Sequence, residues 1–217
     1  MSLTRLLRHP RVVRWYPARF RTTAEQDLLP TLWGWLRDQR DPEGLAWDRE
    51  HGTSTCLFDR GNYEPTPPSV VRRVLDALPG DPERFAFVDL GSGKGRVVLM
   101  AAGRPFREVV GIERRRALHR RALRNRRAYR GIVVTEPTWV NADVREAPLP
   151  DGPIALFLFN PFHASVLDSV LQRVEGQECV LLTVNPYSEP WFENRGFTEL
   201  QAVRFGAEDR RWACYQR

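Results

Sequence analysis

The sequence has almost no lysine. Among 33 basic residues, set against 27 acidic ones, only Lys94 is a lysine, and the rest are arginine. The net charge of +6 therefore carries an arginine bias that a GC-rich genome produces without selection, so charge alone names no nucleic-acid partner. Cysteine is scarce as well. Cys56, Cys179 and Cys214 are odd in number and far apart, with no CxxC, so neither a disulfide framework nor a zinc site is indicated. No metal ligand set is expected. No apolar run approaches the ~20 residues that span a bilayer. The arginine-rich N-terminus has no continuous apolar core, so it does not read as a secretory signal. Thiols in apolar, strand-like runs at Cys179 and Cys214 fit a reducing cytoplasm. What is present is enough for a core: 42% of the 217 residues are apolar, which suits one large domain or one domain with an extension.

The chain is organised around FVDLGSGKGR, residues 87–96. An apolar run reaches Asp89 and breaks into a turn with glycines at 91, 93 and 95. Helix-compatible residues follow from Arg96. Strand, glycine turn and helix bring backbone N–H groups and the positive end of a helix to one strand's C-terminal edge. The spacing Gly91-x-Gly93-x-Gly95 is not the GxGxxG of dinucleotide folds. It is not a P-loop either, because Gly95 follows Lys94 where Ser or Thr is required.

Upstream, residues 1–21 interleave arginines with Leu3, Leu6, Leu7 and Trp15, as in a basic extension packed on the core. Residues 24–40 have a helical apolar face at Leu28, Leu29, Leu32, Trp33 and Leu36. Pro42, Gly44, Gly52 and Gly61 mark 41–61 as irregular, with Trp47, Asp48, Arg49, Glu50 and His51 as lid candidates. Thr66 reads as an N-cap with Pro67 at the first helical position, ahead of an apolar face at Val70, Val71, Val74, Leu75 and Leu78. Strands are expected at 85–90, 109–113, 138–142, 154–159, 179–184, 198–205 and 210–216. The run 154–159 is of the kind buried on both faces of a parallel sheet. Helices are expected at 114–130, 164–174 and 189–195. The first of these carries nine arginines over a thin apolar stripe and reads as the solvated face of a helix that covers the sheet. Alternating βα units closed by an antiparallel pair give an α/β fold: a doubly wound, mostly parallel, seven-stranded Rossmann-like sheet with a helical N-terminal extension. The expected organisation is an extension or lid over 1–62 and a catalytic domain over 63–217.

Two further acids stand at strand ends. Glu113 lies 22 residues after Gly91, where an acid accepts hydrogen bonds from ribose hydroxyls in nucleotide-binding α/β folds. Asp143 follows the third strand. The glycine stretch resembles motif I, DxGxGxG, of class I S-adenosylmethionine (SAM) methyltransferases. More narrowly, FVDLGSGKGR, GIE at 111–113, the FNPF strand end at 159–162 and YEPTPPSVVRRVL at 63–75 resemble the Dot family of histone lysine methyltransferases and bacterial relatives. The resemblance implies SAM as cofactor. Asp89, Gly91, Ser92, Gly93 and Gly95 would hold the methionine end, Glu113 the ribose, and Asp143 with Val144 the adenine. Asn160-Pro161-Phe162 is similar to the [DNS]-PP-[YF] motif of amino-group methyltransferases with one proline missing. It nominates Asn160 and Pro161 to orient an acceptor amine and Phe162 to stack on it.

Tyr63 could close over the cofactor. His163 and His51 are candidate bases, and Trp47 with His51 are lid residues that could touch substrate. A second Asn-Pro-aromatic at 185–187 warns that this pattern also arises from strand-end turns. The leading expectation is methyl transfer to an amine nitrogen of a protein or small molecule. The alternatives are an O-methyltransferase of a small natural product, with a pocket roofed by Trp33, Trp35 and Trp47, and a non-catalytic nucleic-acid-binding protein on the same fold. The acceptor itself is not readable, nucleic acid is not the favoured partner, and no membrane partner is expected.

Overall fold

Seven strands form one sheet: β1 (Ala86–Leu90), β2 (Glu108–Ile112), β3 (Thr138–Val140), β4 (Ile154–Phe159), β5 (Cys179–Val184), β6 (Thr198–Phe205) and β7 (Arg210–Gln216). Their order across the sheet is β3-β2-β1-β4-β5-β7-β6. The first five pair in parallel, and β7 runs antiparallel between β5 and β6. The computed structural model describes residues 41–56, 63–159, 162–186, 189–205 and 210–217. The expected arm at 1–21, the helix at 24–40 with Trp33 and Trp35, the segment 57–62, Asn160, Pro161 and Tyr187 lie outside the described residues.

Side-chain alternation builds two cores, one on each face of the sheet. Phe87, Ala155, Phe157, Val180 and Leu182 point to the face covered by helices α2 (Pro68–Asp76) and α3 (Arg96–Ala102). Val88, Leu90, Leu156, Leu158 and Leu181 point to the other. There they meet Leu167, Val170 and Leu171 of helix α5 (Ala164–Arg173) and Phe192 of the short helix α6 (Glu189–Glu193). Central strands β1 and β5 are buried along their whole length, as expected of a parallel sheet covered on both sides. The short edge strand β3 is half-exposed and packs against helix α4 (Arg116–Ala128). Cys179 and Cys214 are buried free thiols.

Two local expectations are corrected. Thr66 does not cap α2: Pro67 occupies the cap position with no side-chain bond, and the Thr66 carbonyl instead accepts from Arg96. Residues 41–61 are not all irregular, because Pro42–His51 forms helix α1. Its start signal was present in the sequence. Asp41 accepts from the Gly44 N–H at 2.8 Å, and Pro42 takes the first helical position. Its buried residues, Gly44, Trp47 and Asp48, sit on one face, but only Trp47 is strongly apolar, so the periodicity was faint.

Helix α1 is attached to the sheet domain through a buried charge. Arg96, at the first position of α3, is 2% exposed. Its guanidinium donates to Asp41 Oδ2 at 2.7 Å, to the Thr66 carbonyl at 2.8 Å and to Thr55 Oγ1 at 2.8 Å, and it contacts Cys56 Sγ at 2.6 Å. Burial alone would lower the pKa of Arg96, but Asp41, together with Cys56 and Tyr63, raises it on balance, so the group stays charged. A buried ion pair broken from one side leaves the other charge uncompensated. Asp41→Ala is therefore expected to cost about 3–5 kcal/mol, read as a lower denaturation midpoint at constant m-value. An unchanged midpoint would show that solvent, not Asp41, balances Arg96.

Candidate functional site

The strand order reverses between β1 and β4, since β1 leads outward to β2 and β4 leads outward to β5. Open α/β sheets hold ligands at the carboxyl ends of the strands on either side of such a reversal. A cavity of about 240 Å³ lies there. It is lined by the glycine turn, by Asp89 from β1, by Glu113 beyond β2, by Phe157 and Phe159 from β4, and by Tyr63.

The turn is held from its neighbour strand. Gly91 and Ser92 donate their N–H groups to the Ile112 carbonyl at 2.9 Å each. Glu113 then bridges two loops: Oε2 accepts from the Gly93 N–H at 2.9 Å and Oε1 from the Arg115 N–H at 2.6 Å. A carboxylate has about four acceptor sites, so two remain for a ligand's hydroxyls. Ser92 Oγ is buried and has no hydrogen-bond partner among the described residues. Asp89 is buried beside Glu113. Burial first, and the Glu113 charge second, push its pKa well above the usual carboxylate value.

Close approach explains two of the glycines. A Cβ on Gly93, at φ +55°, would collide with the Tyr63 ring, which lies against the turn with the Lys94 ammonium 4.4 Å from its centroid. A Cβ on Gly95 would come within 2.5 Å of the Trp139 ring and 3.2 Å of Ala122 Cβ, so this position sets how closely β3 and α4 approach the turn. The ring of Phe162 lies 3.4 Å from the Cβ position of Gly91, which puts this aromatic at the turn's other edge. Burial raises the Tyr63 phenol's pKa, keeping it neutral.

Other sequence candidates are placed elsewhere. Asp143 and Val144 do not line the cavity. The Asp143 carboxylate is gripped by Arg145 through two bonds of 2.9 Å, and Arg145 holds its pKa well below the usual range. Val144 is part of the core on the α5 face. That loop still abuts the site, because the Asn141 amide donates to the Glu113 carbonyl at 2.7 Å. His163 is exposed at the start of α5, with Nδ1 2.9 Å from Ser165 Oγ. Trp47 and His51 stack on each other at 4.6 Å and on Tyr129 at 5.8 and 5.4 Å, against the far end of α4. Asp48 folds the following loop by accepting from Thr53, Thr55 and Cys56. Asn185 follows β5 with φ 53°, a strand-end turn. Sequence reading missed Arg96, whose signal was no more than an arginine directly after the last glycine.

The cavity's chemistry fits the cofactor implied by the sequence. Three acids, Glu64, Asp89 and Glu113, line it alongside Arg96 and Arg115, and their carboxyl groups suit a ligand carrying hydroxyls and positive charge. Ser92 Oγ, buried and without a hydrogen-bond partner among the described residues, supplies a further polar group beside them.

No protein-family model matches the chain, and no curated protein matches it in sequence. Solved structures share its fold. An RNA methyltransferase from Salinibacter ruber, in complex with S-adenosyl-L-homocysteine, is 24% identical over 70% of this chain and 93% of its own, with a TM-score of 0.52. A precorrin methyltransferase from Geobacter metallireducens is 17% identical over 78% of this chain and 94% of its own, with a TM-score of 0.54. A 23S rRNA methyltransferase is 16% identical over 72% and 69%, with a TM-score of 0.51. The chain thus has the seven-stranded Rossmann-like sheet found in methyltransferases.

Asp89 gives the site a pH signature. Its native pKa lies well above that of an unfolded aspartate, so the folded protein keeps a proton that the unfolded chain releases. This residue therefore costs increasing stability as pH rises through that window. Asp89→Asn is expected to raise Tm relative to wild type, with a larger gain at about pH 7.5 than at about pH 4. Calorimetric melts of both proteins at the two pH values check it, and a pH-independent difference would remove the buried charge from the explanation.

Proposed function

We propose that the protein is a SAM-dependent methyltransferase acting on an amine nitrogen. The observation that carries this reading is the Glu113 carboxylate, fixed by the N–H groups of Gly93 and Arg115 at the mouth of the glycine turn. It is an acceptor held in place before a ligand arrives, at the position where a ribose diol would need one. In this reading Asp89 and the turn hold the methionine end, and the positive charge of that ligand favours the ionised Asp89 that burial disfavours. Asp143 and Val144 serve the adenine only if the Asp143–Arg145 pair opens, so the backbone there is the better candidate. The solved structures with this fold add support, since they include methyltransferases acting on RNA and on precorrin.

Bound SAM supplies a methyl on a sulfonium: the acceptor nitrogen's lone pair forms the N–C bond as the C–S bond breaks onto sulfur, and a nitrogen proton passes to water. What the chain must do is align the acceptor and exclude solvent. Tyr63 covers the turn from one side and Phe162 from the other. Asn160 and Pro161 follow Phe159 of the cavity wall directly, and we assign them the orienting of the acceptor NH₂ through their oxygens. An unprotonated amine needs no base. That agrees with His163 turned to Ser165 and with a cavity lining that, among the described residues, includes no histidine. A hydroxyl acceptor would require one. The sequence's narrower resemblance to the Dot family adds to the case for nitrogen and leaves the acceptor molecule open.

Isothermal calorimetry with SAM and S-adenosylhomocysteine tests the reading, which fails if neither binds. Glu113→Ala is expected to weaken S-adenosylhomocysteine by ~1–3 kcal/mol, and unchanged affinity would remove Glu113 from the site. Asn160→Ala is expected to cut turnover at least tenfold while leaving cofactor affinity near wild type. Full activity would reassign Asn160 to turn structure.

A further inference from the structure

The arginines of α4 are arranged, not scattered. Arg116, Arg120, Arg124 and Arg127 are all exposed and recur every three to four residues. At 3.6 residues per turn they fall within an arc of roughly 80°, on a line about 16 Å long. The opposite face of the helix buries Leu118, Ala122 and Asn125. Residues 114–130 contain nine arginines and no acid. The acids bordering the helix are engaged elsewhere: Asp143 by Arg145 and Arg114, Glu136 by Arg126, and Glu113 by backbone N–H groups inside the site. Among the described residues, no acidic side chain pairs with the four arginines of the line. Arginines elsewhere on the domain behave differently: Arg72 pairs with Glu43, Arg84 with Glu178 and Arg104 with Asp76. What distinguishes α4 is that four unneutralised arginines share one face of one helix.

The line also has a direction. It starts one residue after Arg115, which lines the cavity, and runs away from it along the helix. A row of planar guanidinium forks suits phosphates, which they grip in bidentate fashion. Its length matches roughly five nucleotides of a stacked strand at about 3.4 Å each. A membrane surface is a poor match, because the helix buries Leu118 and Ala122 and keeps only the half-buried Leu123 as a large apolar side chain to insert. An acidic protein is a poor match too, since the exposed face offers no large apolar or aromatic anchor. RNA loops present unstacked bases whose amino groups can enter a pocket without disrupting a duplex.

We propose that the exposed arginine face of α4 is a docking track for single-stranded RNA, which delivers the amino group of a base to the cavity. This rests on the methyl-transfer reading of the cavity and names its substrate class.

The test uses the full chain and a fluorescein-labelled, mixed-sequence RNA of about 20 nucleotides, read by anisotropy across a salt series. Four phosphate contacts at ~0.7 each predict that the combined Arg116→Gln, Arg120→Gln, Arg124→Gln and Arg127→Gln variant loses about 3 from the log–log salt slope, and at least tenfold in affinity. Glutamine keeps helix propensity, and unchanged S-adenosylhomocysteine affinity by calorimetry certifies the fold. The combined Arg72→Gln and Arg84→Gln variant, which removes paired arginines, should stay within twofold of wild type. Equal RNA affinity in the four-site variant and wild type overturns the proposal. So does single-stranded DNA of the same sequence, or poly-glutamate, binding as tightly as the RNA. Failure here with S-adenosylhomocysteine still bound condemns the track alone. Loss of S-adenosylhomocysteine binding in wild type condemns the methyl-transfer reading instead.

Discussion

One carboxylate ties the site together. Glu113 stands just beyond β2, yet its oxygens bond the turn after β1 and the residue before α4. Two loops that belong to different βα units therefore share a single anchor. The Gly93 N–H would otherwise be an unsatisfied donor at a helix entrance, and the Arg115 N–H another. Satisfying both with an acid places negative charge next to Asp89, which adds to burial in keeping Asp89 protonated. The Glu113 charge favours positive charge in the cavity.

The electrostatics divide sharply along α4. At its start lies an acidic cavity, and one residue later begins an unbroken basic face. The two fields differ in burial as well as in sign. Asp89 and Glu113 work in a desolvated pocket where a single charge counts for much, whereas the arginines sit in water and act through number and spacing. Small charged ligands and extended polyanions would thus sort to different parts of one helix terminus.

The sheet was legible because it depends on local rules. β4, β5, β6 and β7 match their expected limits residue for residue: β4 and β5 are unbroken apolar runs, and a polar stretch separates β6 from β7. The glycine turn and Glu113 were legible for the same reason: their spacing is fixed by strand and turn length. What escaped depends on partners distant in sequence. Arg96 meets Asp41, 55 positions upstream, and Thr55, 41 positions upstream, and nothing in any local window marks an arginine that will be buried. Trp47 and His51 looked like lid residues because they cluster with charges. They stack on Tyr129, 82 positions downstream of Trp47, a contact that tertiary packing alone decides. Asp143 was placed correctly on its loop, but its side chain pairs with Arg145, two residues on.

The buried guanidinium of Arg96 has a consequence for cooperativity. Hydrogen-bonded at once to Asp41, Thr55 and Thr66, it joins the first turn of α3 to three separate stretches of chain. None of them can depart alone without stranding a charge or a donor in the interior. Helix α1, the loop it leads into and the segment ahead of α2 thereby belong to the same opening unit as the glycine turn. Their amide protons should exchange together with those of α3, at one free energy, although they enter the sequence some 40 residues before the sheet begins.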